Sequence, residues 1–409
     1  MRNNILYLSL VQILRFVVPI LTFPYLTRVL GVEGFGYLAF ASAAISYSMI
    51  FCQYGFDLTA TARIARIRAA DKSFINKYTS AVLTAKAFLC FASLLLLFIF
   101  LMFYNDTKLS ILILVMMPML LGNLILPVWL FQGLGMMKVL TFIIFFGRLC
   151  SIPLVFTLVK SKSDLYLAGF LQAIPFFISG VISWFFLIKN KVVSLKFVRF
   201  RYVLNIIYSG WDVFLTSLAS SVYLSLFPVL IGYIQGPISV GYFNVADTIR
   251  KICLSFFQPI YQTVFPKVNS LINCDKEKAR DIIRVFLIIS FLLAVTGSLF
   301  VYAFSDEIIG IVAGKEFLQS ADIVEFMLIV IVLSVLNNFF GVQTLIPLKK
   351  EKELRKIVSY SAILCLFFSI PSVYFFDNLG AVSLIALSEF FIFIMLLHLH
   401  KKNDFKVIF

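Results

Sequence analysis

Charge is scarce in this chain. Of 409 residues, 35 are Lys or Arg and 20 are Asp or Glu, whereas 61% are hydrophobic. A soluble protein of this size needs a far more polar coat, which excludes a cytosolic enzyme, a secreted scaffold and a nucleic-acid binder despite the net charge of +15. The six cysteines (Cys52, Cys90, Cys150, Cys253, Cys274 and Cys365) include no C-x-x-C pair, so neither a redox centre nor a zinc site is indicated. His398 and His400 form an H-x-H step with no third ligand nearby and read as interfacial residues. No metal and no cofactor is expected. A Walker loop, a catalytic triad and paired catalytic carboxylates are missing too, which argues against an enzyme and against transport driven by ATP. The first residues lack a small-residue cleavage site, and Arg15, Pro19 and Pro24 interrupt the apolar run, so the N-terminus is expected to be retained.

Long apolar runs are what the chain has in excess. A helix needs about 20 apolar residues to cross roughly 30 Å of hydrocarbon, and twelve such stretches are expected: 8–30, 35–57, 78–104, 109–131, 139–159, 165–188, 211–234, 241–266, 282–304, 321–346, 355–376 and 380–400. Solid runs such as Leu89 to Phe103 exclude the period-two pattern of a membrane barrel. With both termini in the cytoplasm, most loop cations fall on the inward side, among them Arg63, Arg66, Lys72, Lys77, Lys189, Lys191, Lys196, Lys349 and Lys350. The outward segments hold only Arg28, Lys108, Lys160, Lys162 and Lys315. The positive-inside rule supports that orientation, and Trp129, Trp184 and Trp211 all fall near the inner interface. The basic balance therefore reports topology, and no nucleic-acid partner is needed.

The chain also compares with itself. At an offset of half its length, Gly31, Gly36, Tyr37 and Ala41 align with Gly236, Gly241, Tyr242 and Ala246, each set at the outward turn between the first two helices of a six-helix half. The alternative is two similar tight turns. The expected fold is an all-α polytopic membrane protein of 12 transmembrane helices, in two parallel six-helix halves around a central cavity, residues 1–200 and 201–409. This is a transporter plan. Pro19, Pro24 and Pro228 fall in the first helix of each half and are expected to favour bends there, static or mobile.

Charges inside the spans carry most of the remaining information, because burying one costs about 2.5–3.5 kcal/mol or more on insertion scales. Arg15, Lys86 and Arg148 sit at similar depth on alternate helices of the first half. In the second half, Asp247, Arg250 and Lys251 share one helix face, and Glu389 lies near mid-depth of the last helix. The bland reading is that the first-half cations snorkel to the inner headgroups. The functional one is a cationic cavity that accepts an anion, with a phosphate-bearing substrate the natural guest.

Four stretches, PYLTRVLGVEGFGYLAF (24–40), YGFDLTATARIARIR (54–68), PVWLFQGLGMMK (127–138) and VGYFNVADTIRK with FFQPIYQTVFPKV (240–251 and 256–268), resemble O-antigen flippases of the Wzx type. These form the polysaccharide branch of the multidrug/oligosaccharidyl-lipid/polysaccharide exporter superfamily. Many relatives carry Pro after the first LG, where this chain has Val32, while the second repeat keeps Gly236-Pro237. The resemblance implies a bacterial inner-membrane protein that moves an undecaprenyl-pyrophosphate-linked oligosaccharide repeat unit from the cytoplasmic to the periplasmic leaflet. It further implies a cation-rich lumen, matched by position at Arg15, Lys86, Arg148, Arg250 and Lys251, with Asp247 and Glu389 as candidates for H+ or Na+ coupling. The polyprenyl tail would stay among membrane lipids, and a polysaccharide polymerase and chain-length regulator would be partners. Three other readings remain in view: a flippase for capsule, exopolysaccharide or teichoic acid precursors; a multidrug cation antiporter, disfavoured by cations in the first half; and a membrane glycosyltransferase, disfavoured by short outward loops.

Overall fold

The computed structural model describes residues 2–66, 72–149, 151–272 and 274–402, with side chains from residue 21 onward except at 212, 216, 217, 219–225 and 402. It is helical throughout, with no strand among the described residues. Contacts within the chain divide it into two compact units, Met1–Leu218 and Ala219–Phe409. The first contains α1 (Arg2–Gln53), α2 (Phe56–Ala65), α3 (Lys72–Tyr104), α4 (Thr107–Val115), α5 (Met117–Ile125), α6 (Val128–Gly133), α7 (Met137–Leu149), α8 (Ser151–Leu158) and α9 (Leu165–Lys189). After α10 (Phe200–Gln235), which runs from one unit into the other, come α11 (Pro237–Ser255), α12 (Gln258–Leu271), α13 (Lys276–Ala303), α14 (Ser305–Val312), α15 (Ser320–Asn337), α16 (Gln343–Leu345) and α17 (Glu351–Lys402).

Eight helical stretches among the described residues are long and apolar enough to cross a membrane. Two of them double back. In α1, Gly31 has φ 66° and ψ −176°, and the Phe23 and Phe35 rings meet at 5.5 Å, although twelve residues of straight helix span about 18 Å. In α17 the reversal is at Asp377 (φ 54°), with the Ser372 hydroxyl donating to Gly380 O at 2.7 Å and that of Ser361 to Ser388 O at 3.2 Å. A third reversal joins α10 to α11 at Gly236, with φ 90° and ψ 178°, and brings Phe227 to 6.3 Å from Phe243. Gly31 and Gly236 thus share a backbone conformation that is almost exclusive to glycine, at the two positions the self-comparison aligns. Their paired tyrosines also behave alike. Tyr37 donates to Asp106 at 2.9 Å in the turn between α3 and α4, and Tyr242 packs on Phe317 at 6.3 Å in the turn between α14 and α15.

Helix breaks fall elsewhere than the expected bends. Backbone helicity continues through Pro24 and Pro228, whereas α4 gives way to α5 just before Pro118, α5 ends before Pro127, and α12 restarts at Pro259. Lipid-facing surfaces are marked by exposed aromatics and aliphatics, such as Phe98, Met102 and Phe103 on α3 and Phe367 and Phe375 on α17. Trp129, one of the three indoles expected near the inner interface, is fully buried in the core of the first unit with Phe56 and Phe131.

In that unit, α5 and α9 approach backbone to backbone. A Cβ on Gly122 would lie 2.2 Å from Phe176 C and 2.3 Å from Phe177 N, and one on Gly180 would lie 2.3 Å from Ile125 Cγ1. Small residues permit such crossings, where dispersion and not the hydrophobic effect drives association. Gly122→Ala is expected to lose about 1–3 kcal/mol of stability by overpacking, read as a lower unfolding temperature in detergent.

Candidate functional site

The buried ionisable groups that the sequence singled out have different settings, one built within a single helix and the others between helices. On α11, Pro237 supplies the preset φ of a first helical turn, and the buried face carries Val240, Phe243, Ala246, Asp247 and Arg250. Asp247 and Arg250 are 3% and 4% exposed. The Arg250 Nε and Nη2 donate to Asp247 Oδ1 at 2.9 and 2.6 Å, and Lys251 Nζ reaches Asp247 Oδ2 at 2.6 Å. The i,i+3 and i,i+4 spacing delivers both cations to one carboxylate. Lys251 keeps more than half of its side chain exposed, so the cluster presents one accessible cation and a net charge of +1. Any cation that Asp247 takes up would compete with Arg250 and Lys251, which already hold both of its oxygens.

Glu389 is buried on the second arm of α17. Its Oε1 accepts from the Ser334 hydroxyl at 2.8 Å, and its Oε2 accepts from Asn337 Nδ2 at 2.6 Å. Asn337 closes α15, and the next turn, Asn338–Val342, is π-helical, a geometry frequent at functional sites. The Asn337 Oδ1 is buried with no hydrogen-bond partner, so an acceptor stands open beside a carboxylate. His400, read from sequence as interfacial, is buried within the protein, with Nε2 at 2.9 Å from the Phe340 carbonyl in that π turn.

The first unit holds its cations differently. Lys86 is 2% exposed, and its ammonium donates to the Asn123 carbonyl at 2.8 Å. That carbonyl would bond the amide of residue 127 in a continuing helix, but residue 127 is proline and has no N–H. Lys86 therefore fills the place left open at the C-terminus of α5, where the helix dipole favours a cation. Trp184 Nε1 does the same for Ile125 O at 2.6 Å. Lys86→Met would leave the Asn123 carbonyl unpaired and is expected to cost about 1–3 kcal/mol, measurable as a fall in unfolding temperature. Arg148 ends α7, half-buried, with its guanidinium 5.8 Å from the centre of the Phe176 ring. The preceding Gly147 lets α7 close on α9, since a Cβ there would lie 2.3 Å from Ser179 Oγ. Arg15 lies on α1, but its side chain is outside the described residues.

Of the predicted site residues, the structure thus brings Asp247, Arg250 and Lys251 into one cluster and gives Glu389, Lys86 and Arg148 settings of their own. Sequence reasoning passed over Ser334 and Asn337 as Glu389 partners; the only signal was a pair of asparagines, Asn337 and Asn338, in an apolar run.

The profile of the family described as "Polysaccharide biosynthesis protein" matches residues 1–272. The "Putative O-antigen transporter" of Escherichia coli (strain K12) is 32% identical over all of this chain and 98% of its own length. The chain belongs to the polysaccharide biosynthesis protein family. Another relative of the same name, from Shigella dysenteriae, is 31% identical over 97% of this chain and 99% of its own length. These relatives bear the name of a transporter and not of an enzyme. Among solved structures, the fold is that of the lipid II flippase MurJ in an inward closed conformation (TM-score 0.73, 13% identity, 98% of this chain and 88% of that one). It is also that of a multidrug resistance MATE family transporter of the MOP superfamily in its inward-facing conformation (TM-score 0.69, 14% identity, 98% and 99%). This member of the family is a multi-pass membrane protein.

Proposed function

We propose that the protein is a flippase for undecaprenyl-pyrophosphate-linked O-antigen repeat units, carrying them from the cytoplasmic to the periplasmic leaflet of the bacterial inner membrane by alternating access. The observation that carries this reading is full-length similarity to O-antigen transporters, at 31–32% identity. Cations buried or half-buried on the helices of both units support it. In this proposal twelve helices form two six-helix halves, residues 1–200 and 201–409, with both termini cytoplasmic. Arg15, Lys86, Arg148, Arg250 and Lys251 supply the positive field for the pyrophosphate. Desolvating a pyrophosphate is costly, and fixed cations in a low-dielectric site offset that cost.

Lys251 and Arg148 are the natural first contacts, because neither is fully buried, whereas Lys86 acts by holding the end of α5. The polyprenyl tail stays in lipid. Glu389, with the open acceptor of Asn337 beside it, is the better placed of the two candidates for taking up H+ or Na+, since both Asp247 oxygens already hold cations. A polysaccharide polymerase and chain-length regulator would act on the delivered unit.

The test is reconstitution in proteoliposomes with lipid-linked oligosaccharide, with and without an imposed proton or sodium gradient. Wild type should translocate the substrate, and Glu389→Gln, which keeps the shape and the acceptor for Ser334, should lose any acceleration by the gradient. Expulsion of a cationic drug with no movement of lipid-linked sugar would replace the flippase by the multidrug antiporter. Transport of capsule or exopolysaccharide precursors alone would reassign the glycan while keeping the mechanism.

A further inference from the structure

The segment after α9 builds a feature that the transport reading does not use. At the end of α9, Lys191 takes a left-handed φ of 48°, and the Val192 N–H returns to Leu187 O at 3.0 Å, which stops the helix. The chain then crosses to the start of α3 and is fastened there. The Ser194 N–H donates to Asn76 Oδ1 at 2.9 Å, Asn76 Nδ2 donates to Ser194 Oγ at 2.8 Å, and the Lys196 N–H donates to Ser80 Oγ at 2.8 Å. Between this strap, the end of α9 and the start of α3 lies a cavity of about 580 Å³.

Its lining divides by chemistry. Among the described residues, Lys72 and Lys191 are the charged groups that line it, with no carboxylate beside them. Ser194 accepts from Asn76 and retains its own hydroxyl proton as a donor. The Trp184 indole N–H is committed to Ile125 O, so its ring offers the cavity only apolar surface. Ile188 and Leu195, 62% and 60% exposed, continue that apolar wall outward. Two ammonium groups and a hydroxyl above an aromatic and aliphatic wall match a phosphodiester joined to acyl chains, and basic pockets between membrane helices hold such headgroups. A free phosphate would use the lysines but leave the apolar wall unfilled.

We infer that this cavity is a binding site for the headgroup of an anionic phospholipid, with Lys72 and Lys191 on the phosphate and the acyl chains running along Ile188 and Leu195. Occupancy would tie α9 to α3 through the strap, whatever the transporter carries.

The test is native mass spectrometry of the purified full chain in detergent, titrated with phosphatidylglycerol or phosphatidylcholine. Wild type should retain phosphatidylglycerol preferentially. Lys72→Gln combined with Lys191→Gln should weaken retention by roughly 10- to 30-fold, since each lysine near an anionic headgroup contributes about a fivefold step. Lys72→Arg with Lys191→Arg should restore it, and Lys315→Gln, in a turn remote in sequence, should change nothing. Equal retention of the two lipids, or unchanged retention in the glutamine variant, overturns the site. Displacement of phosphatidylglycerol by millimolar inorganic phosphate or glycerophosphoglycerol would also overturn it, by showing a soluble anion to be the ligand. Unfolding temperatures of each variant separate lost binding from lost fold.

Discussion

Proteoliposomes carrying Arg148→Ala are expected to translocate lipid-linked oligosaccharide about 10- to 100-fold more slowly than wild type. A charge-assisted hydrogen bond to a phosphate is worth roughly 1.5–3 kcal/mol, and each 1.4 kcal/mol is about a tenfold change. The same substitution takes the half-buried guanidinium off the Phe176 ring, a contact worth about 0.5–1 kcal/mol at a partly exposed site, so unfolding temperatures measured beside the rates separate lost transport from lost fold. Arg148→Lys separates charge from shape. Lysine keeps the positive charge but loses the planar fork that grips phosphate in two places and stacks on an aromatic face, so an intermediate rate is expected. Rates equal to wild type in both variants would put Arg148 off the substrate path and remove the strongest first-unit contact from the proposed mechanism.

Asp247→Ala should be the most destabilising single change at the candidate site, by about 3–5 kcal/mol. It removes the carboxylate that serves two cations at once, and one of them, Arg250, is 4% exposed and donates to Asp247 Oδ1 through both Nε and Nη2. The penalty is that of an uncompensated buried charge and not the net worth of the pair. Adding Arg250→Met should therefore recover most of the loss, because the double variant no longer buries a charge. Thermal unfolding of the two single variants and the double variant in one detergent gives the coupling directly. If Asp247→Ala unfolds with wild type, the carboxylate is not what makes Arg250 tolerable inside the helix bundle. A Lys251→Ala variant should cost much less, since that side chain is more than half exposed.

What could be read in advance follows the range of the interactions involved. Apolar runs and the glycines at 31 and 236 are local signals: the described chain is helical, eight of its stretches are long and apolar enough to cross a membrane, and reversals fall at both glycines. Proline was less readable. Backbone helicity runs on through Pro24 and Pro228, while Pro127 ends a helix. A proline opens the carbonyl four residues back, and what happens next depends on which distant group can reach that carbonyl; for Asn123 it is Lys86, 37 residues away. Rotation about a helix axis was not readable. Lys86 and Arg148 were placed at one depth, yet the first turns into the protein and the second rests on an aromatic ring. The partners of Glu389 lie more than 50 residues away across a helix pair, and no sequence pattern announces the π turn at Asn338–Val342. The buried place of Trp129 has the same origin, since an indole at interfacial depth can face lipid or core with no change in sequence position.

A turn that only glycine can occupy resists drift, because almost every point substitution there is penalised by the backbone before any contact is considered. Surface helices and lipid-facing positions have no such anchor and exchange one apolar residue for another freely. Two halves descended from a single six-helix gene would thus lose nearly all of their likeness and keep it longest at positions such as Gly31 and Gly236. Those two residues are where a tandem fusion in the ancestry of this chain would leave its last legible trace.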